Sequence, residues 1–395
     1  HGPDPTPAKN KAIFANFTYA LSDAANLTGG IRQSWDEKDY GYVRKNPDGT
    51  NIQGPCNFFL GAPTAGPTGI GNQPNCLLFG LDGLTAKFRD NRVDWRVAAD
   101  YRFSPEFLFY AQVSTGYRAG GVNPRPFFPS QATAFRPETI TAYEAGFKSD
   151  LFDRKLRLNV SAFFNDYKNI ILSSVNCLDL ATAGPGGSSQ ATPCLRPSNV
   201  GSAHVKGFEV ETLIRPIDNF TVDGSLSYLD FQYKKVDTLS TGVTLNDVTP
   251  YTPKWKAAIG VQYDIPDVLK GMVTVRLDGA YQSKIYTEAA NIDSLAVSST
   301  VPANSPVTPS PFSNAGGGGP ITTLRLSNRI DGYFLANARL GWQSEAKDWG
   351  ITLEVQNLTN KYYFLTLLQE AFGAGTASGQ PGRPRTWSVS VRRSF

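Results

Sequence analysis

A chain of 395 residues has room for one large domain or two or three ordinary ones. Its 12% aromatic share, 37 glycines, single methionine and scarcity of Ala/Leu/Glu/Lys-rich stretches favour strands and turns over helices. The formal charge of +4 is spread along the chain, so nucleic-acid binding, which needs clustered Lys and Arg, has no support, and no apolar run approaches the ~18 residues of a spanning helix.

From its start the chain shows no signal peptide: His1-Gly2-Pro3-Asp4-Pro5-Thr6-Pro7 lacks a charged n-region and an apolar h-region, and reads as a cut point in something longer. Period-two alternation then takes over. Thirteen strands are predicted, at 11–21, 25–40, 86–102, 105–117, 138–150, 155–168, 203–216, 219–235, 252–264, 271–285, 331–344, 348–362 and 384–395. Leu156, Leu158, Val160, Ala162 and Phe164 alternate with Arg157, Asn159, Ser161, Phe163 and Asn165. Phe220, Val222, Leu226 and Tyr228 oppose Thr221, Asp223, Ser225 and Ser227, and Val273, Val275, Leu277 and Tyr281 oppose Thr274, Arg276 and Asp278. The last strand sets Trp387, Val389 and Val391 against Thr386, Ser388, Ser390 and Arg392. Each strand therefore has one apolar and one polar face. Many are longer than the ~5–6 residues usual in soluble sheets and suit a tilted crossing of a bilayer, where only alternate residues meet lipid.

The connections alternate in length. Short turns fall at Ser22-Asp23-Ala24, Phe103-Ser104-Pro105, Phe152-Asp153-Arg154, Pro216-Ile217-Asp218, Ile265-Pro266-Asp267 and Ser344-Glu345-Ala346. Long Gly/Pro/Ser/Asn-rich loops lie at 41–85, 118–137, 169–202, 237–251, 286–330 and 363–383. Short turns at one end and long loops at the other mark an antiparallel, up-and-down transmembrane β-barrel; a soluble sandwich has no reason to keep that asymmetry. Aromatics near strand ends (Tyr228, Tyr281, Trp342, Tyr362, Tyr363 and Trp387) fit interfacial girdles, although aromatics favour strands generally.

Four cysteines sit in two of the long loops, Cys56 with Cys76 and Cys177 with Cys194. The spacing does not suit zinc, and only His1 and His204 could assist. Two local disulfides in an oxidising compartment fit the spacing, and four separate thiols are the alternative.

Several segments resemble the β-barrel domain of TonB-dependent receptors. Leu27-Thr28-Gly29-Gly30-Ile31-Arg32 before Asp36-Glu37-Lys38, Tyr110 to Gly121 (YAQVSTGYRAGG), Pro137 to Lys148 (PETITAYEAGFK) and Gly207-Phe208-Glu209-Val210-Glu211 keep the family's order. So do Asn357-Leu358-Thr359-Asn360-Lys361-Tyr362-Tyr363, Pro381 to Trp387 (PGRPRTW) and the terminal Phe395. The resemblance runs over the whole of 1–395 as one domain.

It implies a bacterial outer-membrane barrel of 22 strands, of which this chain covers the last thirteen. A plug domain, a TonB box and about nine strands would precede it. Phe395 would be the signal read by the barrel-assembly machinery. The implied function is receptor-mediated uptake of a scarce nutrient, most plainly an iron–siderophore complex, by a monomer in outer-membrane lipid driven by the TonB–ExbB–ExbD system. Oligosaccharide, haem or cobalamin are alternative cargoes. The implied ligand surface is the 118–136 loop, with Arg118, Asn123, Arg125, Phe127, Phe128 and Phe135, because guanidinium forks and aromatic faces suit anionic or flat ligands. A loop packed only on its neighbours is the bland reading of the same residues.

Glu209, Glu211 and Glu354 are expected on the inner face, paired with Arg276, Arg339 or Arg392, and His204 is expected to be packed or solvated rather than a ligand contact. No metal site, cofactor or catalytic constellation is expected: Gly-x-Ser-x-Gly, P-loop and dinucleotide motifs are missing, and the Gly316–Gly319 run lacks a strand-to-helix context. The Asn-x-Thr sequons at Asn16, Asn26, Asn219 and Asn357 fall within or beside strands, as chance provides. A transport receptor, an adhesive or autotransporter-type β-protein and an outer-membrane hydrolase using His204 remain three distinguishable classes.

Overall fold

A computed structural model of the chain describes residues 5–43, 81, 83–175, 177–180, 194–293, 295–299, 321–370 and 376–394. Thirteen long strands occupy the alternating segments: β1 (Ala8–Ala20), β2 (Ala25–Gly41), β3 (Thr85–Ser104), β4 (Phe107–Arg118), β5 (Glu138–Leu151), β6 (Leu156–Ser174) and β7 (Arg196–Ile214). They continue with β8 (Phe220–Val236), β9 (Trp255–Ile265), β10 (Gly271–Gln282), β11 (Tyr333–Ser344), β12 (Trp349–Gln356) and β13 (Thr386–Arg393). All thirteen hydrogen-bond in strict chain order as one sheet with no crossover. Hairpin connections make that order natural for antiparallel neighbours. No helix among the described residues is long and apolar enough to cross a membrane, which says nothing of strands.

The six predicted short turns are present, and the six long loops join the opposite strand ends. Boundaries differ where loop chemistry intervenes. β6 runs on to Ser174 and β7 starts at Arg196, instead of stopping at 168 and starting at 203, because the Cys177–Cys194 bond holds the two strand extensions together. β12 stops at Gln356 rather than 362 because Asn357 turns the chain with φ 52°. The loops also hold short hairpins that alternation did not predict: Gly121–Val122 with Ala134–Phe135, Ile285–Tyr286 with Arg329–Ile330, Leu295–Ser299 with Ile321–Leu326, and Phe364–Glu370 with Thr376–Pro381.

Packing divides the chain into two compact units. The first comprises His1–Phe147, Ser161–Lys206 and Gln232–Asn246; the second comprises Lys148–Val160, Gly207–Phe231 and Asp247–Phe395. In the first, register sorts the faces. Leu27 lies opposite Tyr19 and Ala99, Ile31 opposite Ala15 and Trp95, and Val97 opposite Gly29 and Val113. On the other face Thr28 lies opposite Thr18 and Ala98, and Asn26 bonds Asp100 at 2.9 Å. The apolar face is uncovered: Ile13 is 71% and Phe17 74% exposed. Side chains of that size left in water forgo about 25 cal/mol per Å² of burial, so a whole apolar face of them suits acyl chains.

The second unit repeats the rule. Val261, Leu277, Ala338, Val355 and Trp387 form one row across five strands, and Gln262, Arg276, Arg339, Glu354 and Ser388 form the adjacent row on the opposite face. In that polar row Arg276 and Arg339 stand directly opposite, an arrangement that repels unless acids intervene. They do. Arg276 on β10 crosses β9 and grips Asp223 on β8 at 2.8 and 3.1 Å, also meeting Asp278 at 2.7 Å, while Arg339 meets Glu354 at 3.2 Å. The crossing is possible because position 260 is glycine; a Cβ there would collide with the guanidinium. This corrects part of the expected pairing: Arg339–Glu354 is present, but Arg276 takes aspartates. Glu209, Glu211 and Arg392 make no ion pair among the described residues, and both glutamates are exposed.

Most buried apolar side chains lie toward the long loops rather than between layers. Phe88, Val122, Ile170, Ile171 and Val200 serve the first unit, and Ile285, Tyr286 and Ile330 the second. The enclosed cores thus support loop platforms.

Candidate functional site

The 118–136 loop begins where β4 ends. Gly120 must be glycine, since a Cβ there would strike the backbone at Phe135 and Arg136. Its carbonyl accepts a 2.7 Å bond from Lys38 Nζ. The loop then folds into its short hairpin, with a 3₁₀ turn over Pro129–Gln131. Asn123 is fully buried: its Nδ2 donates to Gln131 O at 3.1 Å, its Oδ1 accepts from Arg125 N at 3.0 Å, and Tyr42 Oη donates to its carbonyl. Gln131, also buried, accepts from Phe127 N at 2.8 Å. These amides do inside the loop what backbone ladders do in strands, satisfying polar groups withdrawn from water.

The six residues picked from sequence therefore come together in one folded loop, with different roles. Arg118 and Arg125 are exposed, while Phe127, Phe128 and Phe135 are half-buried. Asn123 is an internal strut, buried and bonded to Gln131 O. Cys56, Cys76 and Phe395 lie outside the described residues. His204 packs edge-on to Phe164, with ring centroids 5.0 Å apart, and its Nε2 lies 3.6 Å from Asp166.

Beside this loop lies a polar cleft of about 510 Å³, lined by Phe135, Arg136, Asp179, Arg196, Ser198 and Asn199 among others. Asn199 clamps the backbone of Arg136 in both directions, accepting from its N at 2.7 Å and donating to its O at 2.8 Å, and also donates to Asn169 O at 2.9 Å. Cys177 and Cys194 are bonded and buried, with Cα atoms 5.8 Å apart. Two positions beyond each cysteine, Asp179 and Arg196 meet as a bidentate pair at 2.7 and 3.0 Å. Sequence reasoning passed over Arg136, Asp179, Arg196 and Asn199. The one available signal was the opposite charge two positions after each cysteine of a pair.

The first unit also has a larger hollow of about 570 Å³. Val97, Ala99, Val113, Ala162 and Phe164 line it on the apolar face, with few polar groups, so it offers little to a hydrophilic solute.

In the second unit the loops are tied by buried or half-buried asparagines. Asn328 accepts from Ile292 N at 2.9 Å and donates to Ala290 O at 2.6 Å, and Asn291 accepts from Val248 N at 2.7 Å and donates to Val248 O at 3.0 Å. Above them Tyr286 Oη donates to Asp293 at 2.8 Å and Arg329 pairs with Asp293 and Asp331, each at 2.9 Å. The Tyr286 hydroxyl first, then Arg329, holds the Asp293 carboxyl below the usual carboxylate range. A depressed folded pKa means that the contribution to stability is present above the unfolded value of ~3.9 and is lost as pH falls through the folded value. Protection of the amides around 284–293, taken relative to the intrinsic exchange rate at each pH, should therefore fall on acidification below that value. Asp293→Asn should be weakly protected throughout and lack the acid step.

Comparison with known proteins agrees with this architecture. The family model "TonB dependent receptor-like, beta-barrel" matches residues 2–358. The metal-pseudopaline receptor CntO of Pseudomonas aeruginosa is 24% identical over 157 residues, covering 40% of this chain and 19% of that protein. The pesticin receptor of Yersinia enterocolitica is 23% identical over 272 residues, covering 69% of this chain and 32% of that one. Among solved structures, the ferric yersiniabactin uptake receptor FyuA from Yersinia pestis superposes with a TM-score of 0.66 at 18% identity, over 99% of this chain and 46% of its own. The unliganded ferric citrate transporter FecA gives 0.61 at 14%, over 99% and 45%. The chain thus spans less than half the length of each of these relatives. With the family model matching most of its length and thirteen up-and-down strands in place, the chain belongs to the TonB-dependent receptor β-barrel family of bacterial outer-membrane proteins.

Proposed function

We propose that this chain is the loop-bearing wall of an outer-membrane receptor that binds an iron–siderophore complex at its extracellular loops and imports it with energy from the TonB–ExbB–ExbD system. The observation that carries the reading is the 118–136 loop, which is internally braced by Asn123 and Gln131 and carries exposed Arg118 and Arg125 beside three half-buried phenylalanines. Rigid aromatic and guanidinium groups on a preorganised loop bind at low entropic cost. The names of its relatives, a metal-pseudopaline receptor and a ferric yersiniabactin uptake receptor, support the cargo class.

In this reading the receptor is a monomer, one barrel of 22 strands completed by an upstream plug, TonB box and about nine further strands. The barrel-assembly machinery reads Phe395, and Cys56 pairs with Cys76. The polar face lines a wet lumen and the apolar face meets lipid, since backbone polar groups inside a bilayer must be satisfied by closure. The chain acts in transport and has no catalytic role.

Growth of a strain lacking the receptor decides the cargo. Loss of growth under iron limitation, restored by supplying the receptor but not in a TonB-deficient background, is the expected result. A defect confined to plant or algal glycans would replace the iron reading with the oligosaccharide one.

A further inference from the structure

The cleft beside the 118–136 loop has a charge pattern that its own residues do not balance. Two guanidinium groups, Arg136 and Arg196, line it with one carboxylate, Asp179. Arg196 is nearly enclosed, its side chain 13% exposed, and commits both terminal nitrogens to Asp179, whose side chain is 58% exposed. Its Nε is buried with no partner. Arg136 is the reverse: its backbone is fixed by Asn199, its side chain is exposed, and it makes no ion pair among the described residues. Ser198 and Thr133 add polar groups to the lining. The site therefore already displays fork-to-fork recognition of a carboxylate, performed by an exposed group of the protein itself, beside a second cation left without one.

We propose that this cleft is a subsite for a carboxylate of the imported molecule, with Arg136 as the first contact and Asp179 as an internal stand-in that an incoming carboxylate displaces from Arg196. The proposal rests on the receptor reading above and narrows it to carboxylate-bearing cargo. A carboxylate fits better than a bulkier phosphate because the partner that the cleft holds now is a planar, two-oxygen group in bidentate geometry. The stand-in also discriminates. An occupant without an anionic group cannot repay the lost Asp179–Arg196 pair, so neutral solutes are rejected by the cost of leaving a buried guanidinium unpaired. The disulfide two positions before each partner keeps Asp179 in place as competitor in the oxidised outer compartment.

The test uses the native receptor purified from outer membranes, titrated calorimetrically with citrate and, separately, inorganic phosphate, in parallel with radioactive iron uptake by whole cells. Arg136→Gln should weaken citrate binding about tenfold, the loss of one charge-assisted contact. Asp179→Asn should tighten citrate binding several-fold because the competitor is gone, a gain that a purely structural role for Asp179 would not produce. Both variants should keep the folded barrel, checked by heat-modifiable migration. Phosphate binding as tight as citrate binding would overturn the carboxylate assignment. So would citrate binding that is absent, is unchanged by Arg136→Gln, or is weakened by Asp179→Asn. Wild-type cells that import iron while the variants behave as wild type sink the subsite alone; wild-type cells that import none sink the receptor reading beneath it.

Discussion

Replacing Gly120 with alanine should abolish ligand uptake while leaving the thirteen-stranded sheet intact. The added Cβ meets backbone atoms, the carbonyl of Phe135 and the carbonyl carbon of Arg136, as well as the ring edge of Phe88. A flexible side chain can step aside, but two backbone segments in a hairpin cannot move without breaking their pairing. Gly121 pairs with Phe135 and Val122 with Ala134, so relief of the clash separates the short hairpin. It also pulls the Gly120 carbonyl from Lys38. Overpacking of this kind costs about 3 kcal/mol, which shifts the closed-to-open ratio of the loop by on the order of a hundredfold. The damage should stay local, because β4 ends at Arg118 and its pairing in the sheet does not depend on the loop. Heat-modifiable migration should be unchanged, limited proteolysis should cut within 119–137, and uptake should fall to background. A variant with normal uptake would show that the loop tolerates opening, and the ligand surface would have to be sought elsewhere. Gly120→Ser should behave like alanine, since the obstacle is the first side-chain carbon.

The sheet was legible because its code is local. Alternation fixes the face of each residue, and a turn such as Ser22-Asp23-Ala24 announces itself within three positions. The parity read for β8, β10 and β13 is the parity found in the register. Partner choice was not legible to the same degree. Glu209, Glu211 and Asp223 were all readable as polar-face acids, but which one takes Arg276 depends on the missing side chain at Gly260, which lies opposite Asp223 on the neighbouring strand and far from it in sequence. Loop architecture was still less legible. It rests on side-chain amides and hydroxyls reaching across long separations, as from Asn199 to Arg136 over 63 positions, Asn291 to Val248 over 43 and Tyr251 to Thr366 over 115. Such bonds leave no period in the sequence. The loop around Arg118 could be nominated as a surface, but not the cleft that Arg136, Asp179 and Arg196 form beside it.

Replacing Asn357 with alanine should cost the second unit on the order of 4 kcal/mol and disturb how the last strand is seated. Asn357 is 4% exposed and adopts φ 52°, the left-handed region that asparagine tolerates and alanine does not. Its side chain donates to Lys361 O at 2.8 Å and Arg383 O at 3.1 Å and accepts from Lys361 N at 2.8 Å. Its own N–H is held by Asn337 Oδ1 at 2.9 Å. The bond to Arg383 joins the end of β12 to the approach of β13, and Asn360 adds a second tie by accepting from Arg385 N at 3.0 Å. Together these ties set the pairing that begins at Gln356 with Thr386. A slip of one residue would turn Trp387, Val389 and Val391, each more than 60% exposed on the apolar face, to the polar side. Three variants separate the causes. Asn357→Gly removes the hydrogen bonds but not the conformation, and should recover about 1 kcal/mol relative to alanine. Asn357→Asp keeps the acceptor but points a charge at two carbonyls, and should be no better than alanine. Quenching by brominated lipid, in a receptor whose only tryptophan is Trp387, reports the register directly. The wild-type background should be quenched strongly and the alanine variant weakly. Equal quenching with unchanged urea stability would show that β13 finds its place on β12 without this knot.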